Sequence, residues 1–148
     1  MDKRDKNLVK IDIGCGQNKR KGFIGIDIDK NSQADIIASA LDLPFKGNSI
    51  DQIHSSNLME HFCLEDAQNF FAEIYRVLKK NAQAFLKVDV DWTKRRLLQK
   101  EKTHKHRYSV REIKKMLRQF NFSKSKVVRK IYLIEGHLRT KIFIRLVK

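Results

Sequence analysis

Along the first ninety residues, short apolar runs bounded by turn residues alternate with one long helical stripe. Val9, Ile11 and Ile13 alternate with Lys10 and Asp12, and β-rich runs recur at Phe23 to Ile28, Ala34 to Ala38, Ile50 to Ser55 and Ala84 to Val90. With Leu8 to Ile13 these predict five strands. Between the last two, Ala67, Phe70, Phe71, Ile74, Val77 and Leu78 recur at helical spacing, predicting an amphipathic helix over Glu65 to Lys80 that stops at Asn81. A second helix is expected from Ser109, because Glu112 stands three residues on and can close a capping box, and Val110, Ile113, Leu117 and Phe120 form a stripe. Beyond it, Val127 to Ile134, Gly136, and Thr140 to Val147 read as a terminal antiparallel hairpin.

Strand and helix alternation closing on a hairpin predicts one α/β domain over residues 1–148: a Rossmann-like, mostly parallel seven-stranded sheet with a C-terminal antiparallel hairpin. A reduced helix set on one face is also predicted. Strands covered on both faces read as continuous apolar runs, yet here Leu86, Val88 and Val90 oppose Phe85, Lys87 and Asp89, and Ile142, Ile144 and Leu146 oppose Lys141, Phe143 and Arg145. The nine residues from Gly14 to Gly22 are fewer than a parallel crossover usually takes, so a helix is missing between the first two strands. Apolar strand surface left open predicts a homodimer or a partner protein.

Charge adds a second asymmetry. The net charge is +15, from 32 Lys and Arg against 17 Asp and Glu, and residues 93–148 hold 19 of the basic residues against 3 acids. That excess suits an anionic partner, such as nucleic acid, a phosphorylated substrate or an acidic membrane surface, and equally a solvated basic face. The N-terminus, Met1-Asp2-Lys3-Arg4-Asp5-Lys6, is too charged for a signal peptide, and no apolar run is long enough to span a membrane. A cytoplasmic protein is expected. Cys15 and Cys63 lack zinc-site spacing and are too few for a disulfide framework.

The strongest local motif is Asp12-Ile13-Gly14-Cys15-Gly16 at the end of the first strand. The glycines permit a sharp turn and close approach of a ligand, while Asp12 can accept from a ligand ammonium group. A dinucleotide fingerprint would need glycine at position 19, which is Lys19. Asp27 ends the second strand, where an acid can take both hydroxyls of a ribose, with Asp29 as the rival.

Taken in order, Gly14-Cys15-Gly16, Gly22 to Asp27, Leu43-Pro44-Phe45, Asn48 to Asp51, Leu58 to Phe62, and Arg76 to Lys79 resemble the motifs of class I S-adenosylmethionine-dependent methyltransferases. The resemblance spans residues 8–122 and is strongest to a short bacterial branch related to the methyltransferase-11 group. It implies that Asp12, Gly14, Cys15 and Gly16 hold the methionine end of S-adenosylmethionine. It further implies that Asp27, with Ile28 beside it, holds the ribose, that Ser39, Ala40 and Leu41 flank the adenine, and that Ser56 and Asn57 border the methyl group. Relatives often carry an acid where this chain has Ser39, a contact that Asp42 could replace. Where relatives show Leu-Lys-Pro-Gly-Gly, this chain has Leu78-Lys79-Lys80-Asn81-Ala82.

Methyl transfer is a direct displacement that orientation and proximity can drive, with a base needed only for a weakly acidic nucleophile. His61 is the best-placed candidate base; a helix-start histidine bonded locally is the plainer reading. The place after the fourth strand reads Ser55-Ser56-Asn57-Leu58, which disfavours methylation of exocyclic base amines and, lacking a Pro-Cys pair, of cytosine C5. His104-Lys105-His106 could suggest a metal, but no cysteine accompanies the pair nearby, so none is expected. Trp92 and Tyr108 amid Lys and Arg could stack bases beside phosphates, or belong to a core with a basic rim. The functional expectation is methyl transfer to an unidentified, anionic acceptor; the alternative is a catalytically silent module of the same fold that holds nucleic acid or a protein through its basic last third.

Overall fold

The computed structural model describes residues 8–90, 103–134 and 136–148. Strands β1 (Lys10–Ile13), β2 (Ile24–Asp27), β3 (Ile36–Ile37) and β4 (Ile50–Ser56) lead through a 3-10 turn (Met59–His61) into helix α1 (Leu64–Val77). There follow β5 (Leu78–Asp89), α2 (Val110–Leu117), β6 (Lys124–Ile134) and β7 (His137–Val147). They form a seven-stranded sheet in the order β3-β2-β1-β4-β5-β7-β6. The first five strands are parallel, and β7 runs antiparallel to both β5 and β6. The expected fold is the observed one.

Both helices bury their stripes on the same side of the sheet. Phe70, Phe71 and Ile74 of α1 and Ile113, Met116 and Leu117 of α2 join one core with Ile11, Ile13, Ile53, Leu86, Val88, Ile142, Ile144 and Leu146. The capping box at α2 is complete: the Glu112 amide donates to the Ser109 hydroxyl, and the Ser109 amide donates to the Glu112 carboxylate at 2.8 Å. On the opposite side, Asp12, His54, Phe85, Lys87, Phe143 and Arg145 occupy paired or neighbouring positions in the strand register. Among the described residues no helix covers that face, and none lies between β1 and β2.

The boundary between α1 and β5 differs most from expectation. Helix α1 ends at Val77 rather than Lys80, because Leu78 already pairs with Ile50 at the start of β5. Asn81 therefore stops no helix. It takes φ +65° within β5, where the register of β5 against β4 shifts, and its amide donates to the Lys148 carbonyl at 2.8 Å. Asn tolerates this left-handed conformation better than most residues, so it serves where glycine would otherwise be expected.

A candidate ligand cleft at the carboxyl ends of the parallel strands

In open α/β sheets, ligands bind beyond the carboxyl ends of the strands. Here the loops after β1 to β4 enclose a cleft of about 210 Å³. Gly14 follows β1, Asp27 ends β2, Ala38, Ser39, Ala40 and Leu41 follow β3, and Leu58, His61 and Phe62 follow β4; Asp66 of α1 and Lys105 complete the wall. Gly14 has φ +69°, which favours glycine, and a Cβ on it would lie 2.9 Å from both methyl carbons of Leu58, so a larger residue would also have to displace that side chain. The amides of Gly14 and Cys15 both donate to the Ile26 carbonyl, at 2.8 and 3.2 Å, which ties the loop to β2. Asp27 braces the same loop, accepting from the Gly16 amide at 2.8 Å and the Asp29 amide at 2.9 Å.

Of the residues marked in the sequence, Gly14, Asp27, Ile28, Ser39, Ala40, Leu41 and His61 meet in this cleft. Asp12, Cys15, Gly16, Ser56 and Asn57 do not line it. Alternation along β1 turns Asp12 to the bare sheet face, where it is buried; its carboxylate lies 2.8 Å from His54 Nδ1 and accepts from the Arg20 amide at 2.8 Å. It thus holds the returning loop instead of presenting itself to the cleft. Cys15 is buried under Gly25, and burial, followed by the charges of Asp27 and Asp12, pushes its thiol pKa up. Ser56 shares the face of His54, and Asn57, at φ +55°, donates its amide to the Lys87 carbonyl and lies 3.3 Å from Lys141 Nζ through Oδ1.

The sequence did not mark Leu58, Phe62, Asp66 or Lys105 as cleft residues. Lys105 arrives there because the amides of Lys105 and His106 donate to the Glu60 carbonyl at 2.9 and 3.4 Å, a long-range pairing with no local signature. The same segment decides between the two readings of Tyr108. Tyr108 is buried, and its hydroxyl donates to the carbonyls of Phe62 and Cys63 at 2.7 and 3.1 Å, so it is no stacking platform for bases. Trp92, its proposed companion, lies outside the described residues.

Beside the cleft stands an unusual carboxylate. Glu60 is 1 % exposed, and among the described residues neither of its side-chain oxygens has a hydrogen-bond partner. Burial pushes its pKa up to about 7, with the Asp89 carboxylate adding to the rise. Next to it, His61 Nδ1 lies 3.1 Å from the Thr103 carbonyl. A carbonyl only accepts, so Nδ1 carries the hydrogen, and in the neutral ring Nε2 is the nitrogen with the lone pair.

The cleft therefore offers a carboxylate at the end of β2, Gly14 in its wall and apolar walls from Ile13, Ile26, Ile28, Ala40 and Leu41. That combination fits a nucleoside-bearing ligand: the carboxylate can accept from ribose hydroxyls while the apolar residues flank a flat base.

A sequence profile described as a methyltransferase domain matches residues 11–86, from β1 into β5. No curated protein matches the chain. Among solved structures, a SAM-dependent methyltransferase from Archaeoglobus fulgidus is similar with TM-score 0.77 and 16% identity, over 97% of this chain and 87% of that one. A SAM-dependent methyltransferase from Thermotoga maritima, described as a possible histamine N-methyltransferase, gives TM-score 0.72 and 19% identity over 96% and 83% of the two chains. Phosphoethanolamine N-methyltransferase 2 of Haemonchus contortus, solved with phosphomonomethylethanolamine and S-adenosylhomocysteine, gives TM-score 0.75 and 16% identity; this chain is covered to 99% but spans only 51% of that protein.

Proposed function

As the chain belongs to the class I S-adenosylmethionine-dependent methyltransferases, we propose that it binds S-adenosylmethionine in the cleft beyond β1 to β4 and transfers its methyl group to an anionic acceptor. The observation that carries this reading is the convergence of Gly14, Asp27 and the Ser39 to Leu41 segment on one cleft. Asp27 would take the ribose hydroxyls, Ile28, Ala40 and Leu41 would flank the adenine, and the loop opened by Gly14 would admit the methionine end. The cofactor supplies an electrophilic methyl group on a sulfonium. The protein's part is to hold the acceptor in line with it and to exclude water.

Calorimetric titration with S-adenosylmethionine and S-adenosylhomocysteine tests the reading. The wild type is expected to bind both, and Asp27→Asn to bind at least about tenfold more weakly, a loss of roughly 1.4 kcal/mol. Absence of binding by folded wild-type protein would sink it.

A second reading, that the chain also holds a single-stranded nucleic acid, is favoured by the uncovered sheet face. There Arg20 stands 5.4 Å over the Phe23 ring, Arg145 5.4 Å over Phe85 and Lys130 5.5 Å over Phe143, around a hollow of about 430 Å³ lined also by His54 and Lys87. Aromatic rings interleaved with cations are what stacked bases and phosphates call for. Two copies of the chain meeting on this face would set like charges together, which argues against the homodimer. Fluorescence anisotropy with labelled single-stranded RNA and DNA is expected to show binding that weakens steeply with salt and falls in Phe85→Ala. Salt-independent or absent binding, or a dimer mass by light scattering, would refute it.

A further inference from the structure

The geometry points to a metal site at the rim of the cleft: Glu60, His61 and His104 together bind one divalent transition-metal ion. Each residue offers a ligand atom, and the three atoms lie within 4.8 Å of one another. One carboxylate and two imidazoles are a donor set suited to zinc and its first-row neighbours, whereas magnesium and calcium take oxygen-rich sets. Ligand bonds of about 2 Å require the three atoms to draw closer. His61 and His104 are only partly buried and their rings already meet edge to face, with centroids 4.9 Å apart, so rotation about their side-chain bonds can bring them in.

Three further observations support the assignment. A carboxylate buried with no hydrogen-bond partner is expensive unless a cation compensates it, and among the described residues both Glu60 oxygens are buried and unpartnered, with the Lys141 ammonium only a minor compensating charge. The hydrogen bond from His61 to the Thr103 carbonyl occupies Nδ1 and directs Nε2 outward as a ligand, the usual second contact of a metal-bound histidine. The same loop segment holds the third ligand's neighbourhood in place, since the Lys105 amide bonds to the Glu60 carbonyl itself. His106, the other half of the His-x-His pair, is elsewhere engaged, with Nε2 3.1 Å from Glu112. In this arrangement His61 is a metal ligand, and the role of general base that its sequence position suggests does not fall to it.

His61 also lines the cleft, so an ion held there would lie next to the space where an acceptor would enter. The ion would hold an anionic acceptor by a charged or lone-pair oxygen. This last role rests on the methyltransferase reading, whereas metal binding itself does not.

The test uses the untagged full-length chain, stripped with a chelator and titrated with cobalt(II), whose visible absorption reports coordination by nitrogen and oxygen ligands; zinc is then added in competition. The wild type is expected to take up one cobalt per chain, displaced by zinc. Glu60→Gln and His104→Ala are each expected to weaken uptake at least about tenfold, and His106→Ala to leave it unchanged. No stoichiometric uptake by the wild type, undiminished uptake by His104→Ala, or equal loss in His106→Ala would overturn the assignment. Calorimetry with S-adenosylhomocysteine on the same samples separates the two readings: a His104→Ala protein that has lost cobalt but still binds the nucleoside confirms that the metal and cofactor sites are distinct. Failure of both titrations in folded wild type would count against each reading separately.

Discussion

Substituting alanine for Gly14 perturbs the wall of the cleft, and its cost can be worked from two separate sources. The backbone holds φ +69°, a conformation that costs an L-residue about 1–2 kcal/mol. The added Cβ would stand 2.9 Å from two carbons of the Leu58 side chain, and overpacking of this kind costs about 1–3 kcal/mol. Gly14→Ala should therefore lose about 2–5 kcal/mol, a large share of the roughly 5–15 kcal/mol typical of a domain. Leu58→Ala relieves the contact but not the backbone strain. In the double variant, the steric part of the Gly14→Ala cost should vanish, so the two losses should fall short of additivity by about 1–3 kcal/mol. Urea unfolding of the four proteins, fitted with a common slope, measures this directly. Losses that add within about 0.5 kcal/mol would show that Leu58 does not sit over Gly14, and a Gly14→Ala protein as stable as wild type would refute both parts of the reasoning.

Other expectations concern the frame around the cleft. Arg76 donates to the carbonyls of Leu43 and Phe45 at 2.9 and 2.7 Å and to Glu73, tethering the Leu43-Pro44-Phe45 segment to α1; its partly exposed side chain limits the loss in Arg76→Ala to about 1–2 kcal/mol by chemical denaturation. The Arg76 guanidinium holds the Glu73 carboxyl below its ordinary value of 4.5, assisted by the Leu43 amide and opposed by burial. Since the folded-state value is the depressed one, this contribution is fully present above pH 4.5 and is lost as pH falls through the folded value. Glu73→Gln should lower stability at pH 7 and flatten its decline below pH 4.5; an unchanged acid limb in unfolding experiments would contradict the pairing. Tyr108→Phe removes the hydroxyl that donates to Phe62 and Cys63 and should lower stability by about 1–2 kcal/mol in thermal or urea unfolding, with no loss meaning that the segment before α2 is held by packing alone.

Local signals were the readable ones. The capping box at Ser109 involves residues three apart, and the alternation of β1, β5 and β7 reports sheet cover directly, so the start of α2 and the bare face were both legible. The true start of β5 was not, because the helical stripe runs on through Leu78 and only pairing with Ile50 decides that this residue extends instead of coiling. Asp12 shows local pattern and motif pulling apart. Its position before the glycines suggested a ligand contact, but the two-residue period of its own strand already assigned it to the face away from the cleft. Among site residues, Gly14, Asp27 and His61 could be marked because they end strands or open turns. The grouping of Glu60 and His61 with His104 could not, since the contact spans more than forty positions and depends on how the chain returns before α2.

The short link after β1 also bears on how the molecule assembles. Ile11 pairs with Ile24 and Ile26 with Ile36, separations of 13 and 10 positions, so the three strands that carry the glycine loop and Asp27 form from near neighbours in the chain. Joining β4 to β1 brings Ile11 to Ile53, 42 positions on, and the added loop-closure entropy is about 1 kcal/mol relative to the first pairing. Parallel sheets usually owe their slow folding to long crossovers. With the first crossover cut to a turn, the cofactor-side strands can come together early and wait as a template for β4. The half of the sheet that would bind the cofactor is then the half whose formation demands least of the chain.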